Sequence, residues 1–395
     1  MPEAVTPRIT EKYLVIAAEA SSAKYAEMLI EELRTTSSEA ATKKEFFGIG
    51  SAEMQKLGFR AIAKSEDMAL VGLKEVVKHL PYIRQVFKSI VNECKVDRPK
   101  VAILLDYPDF NFRLAKELTK LKIPVIYYIS PQIWAWRKSR VELVKKYVTQ
   151  LAVIFPFEVD FYKKQGVSVH FVGHPILEAL PSANERQILH DERSRYGVLP
   201  SDNVLALMPG SRGSEIQNHL DVQLKVASRL QAEFSNLKVM LFVAPTQNVT
   251  TLKAKIQTST NIIIVQRDPF EMIPMADVVL CASGTATLMV GLCQKPMVIM
   301  YKVSRMTAFV VRRLFDFPKF FGLPNLILDR LVSPELFQEQ ANESVIYDKL
   351  KGLLNNPSER EEQRVELAKL ENLLGSKGAT RRVASLVATA GGDQV

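Results

Sequence analysis

Cysteine is scarce in this 395-residue chain, which has only Cys94, Cys281 and Cys293 and no Cys-x-x-Cys pair. This scarcity argues against a disulfide framework or a zinc knuckle and fits a reducing cytoplasm. Long hydrophobic runs are also missing, since none approaches the roughly 18 residues that a membrane span needs. The stretch up to Lys12 has no apolar signal-peptide segment. We therefore expect a cytoplasmic protein whose membrane contact, if it has one, is peripheral.

Several ligand-binding signatures are absent as well. His170 and His174 have the spacing of helical metal ligands, but Gly173 and Pro175 oppose a helix there. The string Gly48-Ile49-Gly50 lacks the third glycine of a dinucleotide fingerprint. The sequence also has no Asp-x-Asp pair in a loop, the pattern that would suggest a sugar nucleotide held through a metal ion. The sequence therefore predicts neither a metal nor a cofactor.

The charge balance is positive, with 52 Lys and Arg against 43 Asp and Glu, a net charge of +9. This excess favours an anionic partner, such as nucleic acid, a phosphorylated metabolite or an acidic membrane face. Because the basic residues are spread along the chain, their distribution does not distinguish among these three classes of partner. The hydrophobic fraction of 47% is that of an ordinary globular protein, and the length predicts two domains.

Short apolar runs alternate twice over with longer amphipathic stretches, a pattern typical of parallel sheets covered on both faces. It predicts an α/β fold with two tandem doubly wound, Rossmann-like domains that face a cleft. The expected strands are Tyr13–Ala17, Phe46–Gly50, Val101–Asp106, Val125–Ser130, Leu151–Phe155, His170–Gly173, Val204–Met208, Lys238–Ala244, Asn261–Val265, Val278–Ala282 and Pro296–Tyr301. The predicted boundaries are a domain at 1–175, a connection at 176–200, a domain at 201–356 and a helical tail at 357–395.

Two Gly/Ser turns connect predicted strands to helices in the second domain. In Pro209-Gly210-Ser211-Arg212-Gly213-Ser214, small residues let backbone N–H groups approach an anion, and Arg212 is able to fork onto phosphate oxygens. The alternative is an ordinary turn with Ser214 as the helix N-cap. The turn at Ser283-Gly284-Thr285 is by itself typical of ordinary helix capping, but its hydroxyl and amide groups also suit a second anionic or ribose group. Together the two turns predict a nucleotide-diphosphate pocket.

Two carboxylates follow strands of the first domain and are candidates for a general base. Asp106 comes directly after a buried strand, and Glu19 follows the first strand. The alternative is that Asp106 and Asp109 both cap the next helix.

An aromatic and basic string, Trp134-Ala135-Trp136-Arg137-Lys138, follows another strand. It suits a base, a sugar, a lipid or a membrane surface, or simply a lid over the core. The stretch Met68–Val91 predicts a helix whose apolar face, with Leu73, Val76 and Val77, is bordered by basic residues. Core packing and contact with an anionic membrane are both open for it.

Taken together, these strings resemble the lipid-A-disaccharide synthase family, which are peripheral-membrane glycosyltransferases of the GT-B type. The resemblance runs in order over nearly the whole chain. It rests on the blocks Val71–Val76, Asp106–Asn111, Ser130–Arg137, Pro156–Glu158, Phe171–His174, Pro209–Arg212, Ala282–Ala286 and Leu323–Leu326, with Gln338 downstream.

The resemblance implies transfer of 2,3-diacylglucosamine from its UDP derivative to 2,3-diacylglucosamine 1-phosphate, giving the β-1,6 disaccharide of lipid A and UDP without a metal. The first domain would bind the acceptor and the second the UDP-sugar, and the tail would pack on the first domain or on a partner. Asp106 or Glu19 would deprotonate the acceptor in an inverting attack.

The implied substrate-binding residues are Ser21, Gly210, Ser211, Arg212, Ser283, Gly284, Thr285, Asn325 and Gln338. Leu73, Val76, Val77, Trp134, Trp136 and Arg137 would form a rim toward the acceptor and the anionic cytoplasmic face of the inner membrane. The resemblance also allows a homodimer, and nucleic acid is not expected as a partner.

The chain departs from the family pattern at two ligand-holding loops. The usual Gly-Glu-x-Ser-Gly-Asp loop here reads Ala18-Glu19-Ala20-Ser21-Ser22-Ala23, and Met289 stands where the family carries a Glu. In GT-B enzymes that Glu commonly binds the ribose hydroxyls, which a thioether cannot do. Two alternatives therefore stand beside the synthase: a diverged GT-B glycosyltransferase with another nucleotide sugar or acceptor, and a non-catalytic lipid-binding paralogue.

Overall fold

The computed structural model describes residues 9–35, 42–68, 73–131, 140–245, 247–256, 261–303 and 319–392. The chain forms two compact units, Met1–Glu178 with Leu374–Val395, and Ala179–Leu373. Each contains one parallel sheet with helices between its strands, and the predicted α/β, Rossmann-like fold class is confirmed.

The first unit is built on a seven-stranded sheet with the order β3-β2-β1-β4-β5-β6-β7. Its strands are β1 (Ile9–Ala17), β2 (Thr42–Gly50), β3 (Arg60–Lys64), β4 (Val101–Leu105), β5 (Val125–Tyr128), β6 (Gln150–Val153) and β7 (His170–Phe171). Its helices up to residue 178 are α1 (Ala20–Thr35), α2 (Ala52–Lys56), α3 (Ser65–Met68), α4 (Leu73–Val96), α5 (Pro108–Lys120), α6 (Val141–Tyr147) and α7 (Pro156–Lys164), and a 3-10 segment, Pro175–Ala179, follows them.

The central strands of this sheet are apolar on both faces because helices cover both sides. All five residues of β4 are buried, and the later part of α4 packs Val86, Ile90 and Cys94 into the same core. Gly48 in β2 has a packing role, since a Cβ there would lie 2.2 Å from the backbone oxygen of Val15 on β1. The close approach of the two strands therefore accounts for Gly48, and no dinucleotide-binding role is needed to explain it.

The second unit is built on a six-stranded sheet with the order β10-β9-β8-β11-β12-β13. Its strands are β8 (Asn203–Met208), β9 (Leu237–Phe242), β10 (Ile262–Val265), β11 (Val278–Ala282), β12 (Met297–Tyr301) and β13 (Glu335–Phe337). Its α-helices are α8 (Ala183–Asp191), α9 (Gly213–Glu233), α10 (Val249–Ile256), α11 (Pro269–Met272), α12 (Thr285–Leu292), α13 (Leu323–Leu328), α14 (Glu343–Asn355) and α15 (Pro357–Leu373), with 3-10 segments at Glu192–Tyr196, Ile273–Met275 and Gln338–Gln340.

The last described helix, α16 (Ala379–Gly391), belongs to the first unit. It packs on α1 and on β4, β5 and β6. Both the backbone N–H and the hydroxyl of Thr380 donate to the Glu178 carboxylate, at 2.8 and 2.7 Å, and Arg382 Nε donates to the Val172 carbonyl at 2.8 Å. The chain therefore leaves the first unit after Glu178 and returns to it at Leu374.

Candidate functional site

Each sheet reverses its strand order at one place, between β1 and β4 in the first unit and between β8 and β11 in the second. Doubly wound sheets bind ligands beyond the carboxyl ends of the strands at such a switch point. Glu19 follows β1 and Asp106 follows β4, and these strands are paired with Ala17 opposite Leu105. Gly210–Arg212 and Ser283–Thr285 flank the other switch point in the same way, because β8 pairs with β11. The predicted residues thus lie at neighbouring strand ends within each unit.

Asp106 lies in an unusual backbone turn. Asp106 and Tyr107 have φ values of 47° and 46°, so two successive non-glycine residues are left-handed. The side-chain N–H groups of Asn111 donate to the carbonyls of Leu105 and Asp106, at 3.2 and 2.6 Å, and the Tyr127 hydroxyl donates to the Asp106 carbonyl at 2.6 Å. Burial, followed by the Asp106 charge, raises the pKa of Tyr127 well above its ordinary value, so the phenol keeps its proton.

The alternative in which both aspartates cap the next helix is wrong. The N-cap of α5 is Tyr107, which makes no side-chain capping bond, and Asp109 lies exposed in the first turn. Asp109 forms an ion pair with Arg140 instead. Tyr107 occupies the N-cap position, and Pro108 after it starts the helix without needing a donor.

Glu19 is half-buried between β1 and α1. The hydroxyl of Ser22 accepts the Glu19 backbone N–H at 3.1 Å and donates to its carbonyl at 2.9 Å, which fixes the Glu19 backbone. Burial raises the pKa of Tyr107, and the charge of Glu19 raises it further. Tyr107 therefore lies between the two candidate carboxylates. Asp106 precedes it in the chain, and the charge of Glu19 acts on it through space. Ser21 is exposed in the first turn of α1.

The Arg212 loop has a carboxylate already built into it. Glu215 Oε2 accepts the backbone N–H of Ser211 at 2.9 Å and that of Arg212 at 3.2 Å, and its Oε1 lies 3.4 Å from the Arg212 guanidinium. Gly210 has a φ of 124°, and a Cβ there would lie 2.5 Å from the Glu215 carboxylate, so glycine is required. The reading of Ser214 as N-cap is wrong, because α9 begins at Gly213 with Arg212 as N-cap. The physical reason is Glu215, which supplies the capping acceptor from within the helix.

A buried histidine joins this loop to the end of β12. His219 Nδ1 lies 2.8 Å from the Pro209 carbonyl, and its Nε2 accepts the Lys302 backbone N–H at 2.9 Å. Burial lowers the pKa of His219, which favours the neutral ring. With Nε2 as acceptor, Nδ1 carries the proton and donates to Pro209. One neutral imidazole therefore fixes the loop after β8 relative to the end of β12.

The second turn is open. Gly284 has a φ of 147°, and a Cβ there would meet nothing within 4 Å. Two hydrogen bonds fix Ser283. Its backbone N–H donates to the Met300 carbonyl at 3.0 Å, and its hydroxyl donates to the Phe321 carbonyl at 3.1 Å. Gly284 and Thr285 are exposed at the N-terminus of α12. The positive end of that helix dipole therefore faces solvent at this edge.

The side chain of Asn325 is wholly buried and is saturated by its own unit. Its N–H groups donate to the Ser333 carbonyl and to Glu335 Oε1, both at 2.7 Å, and its oxygen accepts the N–H groups of Val332 and Ser333. Glu335 also accepts the N–H groups before α13, and burial raises the pKa of this carboxyl. Asn325 therefore organises a loop, and a direct contact between its amide and a nucleotide stays a prediction.

Gln338 lies directly after β13 with a φ of 52°, and its Nε2 donates to the Val303 carbonyl at 3.2 Å. It is thus at the same strand edge as Ser283. Its backbone is left-handed, which is uncommon for a residue other than glycine. This places Gln338 among the residues that shape the carboxyl edge of the second sheet.

Part of the predicted rim lies outside the described residues, namely Trp134, Trp136 and Arg137. Leu73, Val76 and Val77 lie in α4, but their side chains are also outside the description. His174 is buried, and its Nδ1 accepts the N–H of Ile176 at 3.1 Å. Within the described ranges no cluster of three or more His, Cys, Asp and Glu side chains is placed to hold a metal ion, and no helix there is long and apolar enough to cross a membrane.

Sequence reasoning missed the residues that support the strand ends. Asn111 and Tyr127 hold the Asp106 turn, while Glu215, His219 and Glu335 hold the loops of the second unit. The only local signal was Glu215, three residues after Arg212, which is the spacing of a capping box. The other partners are brought together by the tertiary fold.

The arrangement provides two kinds of chemistry. The first unit presents carboxylates at a strand edge, where they are able to accept a proton from a hydroxyl. The second presents Arg212 and two helix N-termini, which favour phosphate oxygens. Both are what a transfer from a nucleoside-diphosphate donor needs.

Comparison with known proteins identifies the family. A family model described as lipid-A-disaccharide synthetase matches residues 13–388. A lipid-A-disaccharide synthase of Myxococcus xanthus is 37% identical over 383 residues, 96% of this chain and 97% of that protein. Lipid-A-disaccharide synthase 1 of Legionella pneumophila (strain Lens) is 35% identical over 95% of this chain and 96% of its own.

Solved structures of low sequence identity show the same fold. A Staphylococcus aureus MnaA–UDP co-structure has a TM-score of 0.62 at 12% identity, covering 96% of each chain. UDP-GlcNAc 2-epimerase from Neisseria meningitidis bound to UDP-GlcNAc gives 0.60 at 12% identity, covering 96% of this chain and 99% of that one. The glycotransferase of kitacinnamycin gives 0.61 at 12% identity over 97% and 100%. These likenesses place the chain among GT-B folds, and the family match goes further: the chain belongs to the lipid-A-disaccharide synthetase family.

Proposed function

We propose that this glycosyltransferase transfers 2,3-diacylglucosamine from its UDP derivative to 2,3-diacylglucosamine 1-phosphate. The products are the β-1,6-linked lipid A disaccharide 1-phosphate and UDP. The observation that carries the proposal is that a chain of this family has its carboxylates at one switch point and its Gly/Ser anion turns at the other. UDP in one solved structure of the same fold and UDP-GlcNAc in another support the choice of donor.

The proposed reaction is a single inverting displacement. The acceptor 6-hydroxyl oxygen attacks the anomeric carbon of the donor while the bond from that carbon to the UDP oxygen breaks. The hydroxyl proton passes to the Asp106 carboxylate, with Glu19 as the second candidate for this role. UDP leaves with the bonding electron pair, and Arg212 together with the N-termini of α9 and α12 stabilises its charge. No step in this scheme uses a metal.

The remaining predicted substrate-binding residues either contact the substrate directly or shape the loops around it in this proposal. Gly284 and Thr285 are open to a phosphate or ribose, while Gly210 and Ser211 shape the Arg212 loop. Asn325 and Gln338 position the loops of the donor half, in agreement with their buried side chains.

The test is an assay of the purified full-length chain with both substrates, scored for disaccharide and UDP. We expect product from the unchanged protein and a loss of about 100-fold or more in kcat for Asp106→Asn, because general-base groups contribute about that much. Asp109→Asn is the matched control, since Asp109 is an exposed carboxylate three residues away. Folded protein that forms no disaccharide would refute the proposal, and a fully active Asp106→Asn would refute the base assignment alone.

A second candidate is a GT-B transferase that uses another nucleotide sugar. The observation that favours it is the pair of altered loops, Ala18–Ala23 and the site of Met289. Hydrolysis or transfer from another UDP-sugar, with no turnover of the diacylated donor, would support it. A folded chain that binds lipid and turns over no donor would support the non-catalytic alternative.

The proposal includes peripheral attachment to the anionic cytoplasmic face of the inner membrane, where the acylated substrates lie. The net charge of +9 supports it. Co-sedimentation with vesicles containing anionic phospholipid, and release by salt, would be expected. A homodimer is a further part of the proposal, and its measurement is the molar mass in solution.

A further inference from the structure

The backbone on both sides of the Asp106 Cα is anchored by side chains. The peptide carbonyl before this atom belongs to Leu105, and the one after it belongs to Asp106 itself. Asn111 Nδ2 lies 3.2 Å from the first and 2.6 Å from the second, and the Tyr127 hydroxyl lies 2.6 Å from the second. Because the orientations of these two peptide planes define φ and ψ of Asp106, the hydrogen bonds fix the direction of its Cβ.

This anchoring maintains a conformation that the chain does not favour by itself. Left-handed backbone is unfavourable for residues other than glycine, and here Asp106 and Tyr107 adopt it in succession. Such conformations persist when their surroundings hold them, and they concentrate at functional sites. The turn is therefore held by Asn111 and Tyr127 against its intrinsic preference.

Asn111 is poorly explained as a residue that serves stability alone. It is fully buried, and its side-chain oxygen finds no hydrogen-bond partner among the described residues. A buried acceptor without a partner is destabilising, so this side chain carries a cost beside the two hydrogen bonds that it donates. The hydrogen bonds that the Asn111 amide donates to carbonyls both flank the Asp106 Cα, and the Asn111 side chain also contacts the Tyr127 hydroxyl.

We propose that Asn111 and Tyr127 are positioning residues that hold the Asp106 turn left-handed and thereby aim its carboxylate at the acceptor hydroxyl. The inference rests on the proposed function, because it assigns a role to residues that act through the proposed base. Neither side chain touches substrate in this scheme.

Tyr127→Phe is the sharpest test, and Tyr128→Phe is its matched control. Both tyrosines are fully buried neighbours in β5, and successive strand residues point to opposite faces. The Tyr127 hydroxyl donates to Asp106, whereas the Tyr128 hydroxyl has no hydrogen-bond partner among the described residues. The same atom is thus removed at two adjacent sites, and only one of them is connected to the turn.

We expect Tyr127→Phe to lower kcat about tenfold with the KM of both substrates unchanged, because small displacements of a reacting group cost rate rather than binding. Tyr128→Phe is expected to keep the wild-type kcat. Asn111→Leu removes both bonds at nearly constant volume, and we expect a loss of about 100-fold in kcat together with a lower melting temperature, because two carbonyls lose a donor. If Asn111→Leu does not fold, the tyrosine pair alone decides.

A loss of threefold or more in kcat for Tyr127→Phe, with less than threefold for Tyr128→Phe, supports the inference. Any smaller loss for Tyr127→Phe, an equal loss in both, or a rise in KM at constant kcat would overturn it. Wild-type protein without disaccharide synthesis would instead show that the proposed function is wrong. The two failures are therefore distinguishable in one set of assays.

Discussion

The carboxylate of Glu215 lies against the backbone of Ser211, whose N–H it accepts at 2.9 Å. The same oxygen accepts the N–H of Arg212, so one side chain satisfies two donors at the start of α9. An internal carboxylate therefore sits where a phosphate was expected to meet these amides. These two amides are therefore occupied, and in our proposal the Arg212 side chain and the first turn of α9 are the groups that contact the diphosphate.

The first prediction concerns this capping carboxylate. We expect Glu215→Ala to lower the free energy of unfolding by about 1–2 kcal/mol, because it removes the acceptor of two N–H groups at a helix start. Glu215→Gln keeps an acceptor and is expected to lose about half as much. Urea denaturation of the three proteins measures the difference. Equal stability of all three would show that the capping bonds contribute nothing.

The second prediction concerns Met289, which is half-buried in α12 downstream of the open turn. The family resemblance places a ribose-binding Glu at this position. We expect Met289→Glu to lower the KM for the UDP-sugar about tenfold, since hydrogen bonds to charged groups contribute about 1.5–3 kcal/mol. Met289→Leu is the control without hydrogen-bonding groups and is expected to match the unchanged protein. An unaltered KM in the Glu variant would mean that the donor pocket has been rebuilt around the thioether.

The third prediction concerns pH. Burial lowers the pKa of His174 from 6.5 to about 3. Below pH 6.5 the unfolded chain binds a proton at this residue and the folded chain does not, so stability falls as pH drops from about 6.5 to about 3. The slope from this one residue is about 1.4 kcal/mol per pH unit.

His174→Asn keeps an acceptor for the Ile176 N–H and is expected to reduce that slope. His170→Asn is the control, because His170 is exposed on β7. The measurement is the free energy of unfolding from denaturant titrations between pH 4 and pH 7. Identical slopes in both variants would contradict the assignment.

The fourth prediction concerns a backbone position away from both sites. Lys122 is exposed and has a φ of 55° just after α5. Because glycine adopts this conformation without penalty, we expect Lys122→Gly to raise the free energy of unfolding by about 1 kcal/mol. Lys116→Gly, at an exposed position in the interior of the helix, is expected to lower it by about 1 kcal/mol. Thermal and urea unfolding of both variants checks the opposite signs.

The central strands were predictable because they are apolar runs bounded by turns, as in Val101–Leu105 and Val278–Ala282. The strands Arg60–Lys64 and Glu335–Phe337 were missed. Both lie at the edge of a sheet, where a strand pairs with only one neighbour and is only partly covered by other elements. Their short sequences therefore show no distinct hydrophobic run.

The strand-end residues were predictable for a similar reason, since topology alone brings Asp106 and Glu19, or Arg212 and Ser283, to neighbouring strands. Their supporting contacts were not. His219 meets Lys302 across 83 residues, and Tyr127 meets Asp106 across 21. Such pairs depend on side-chain direction in the folded state, which periodicity does not encode.

The return of helix α16 to the first unit has a consequence for biosynthesis. A ribosome makes β1 to β7 early and α16 only after all of the second unit. Until then, β4, β5 and β6 lack the contacts that α16 makes with them, and Glu178 lacks Thr380. The first unit is therefore unable to complete the packing of its sheet until the segment Ala379–Gly391, which follows the whole of the second unit in sequence, has been synthesised.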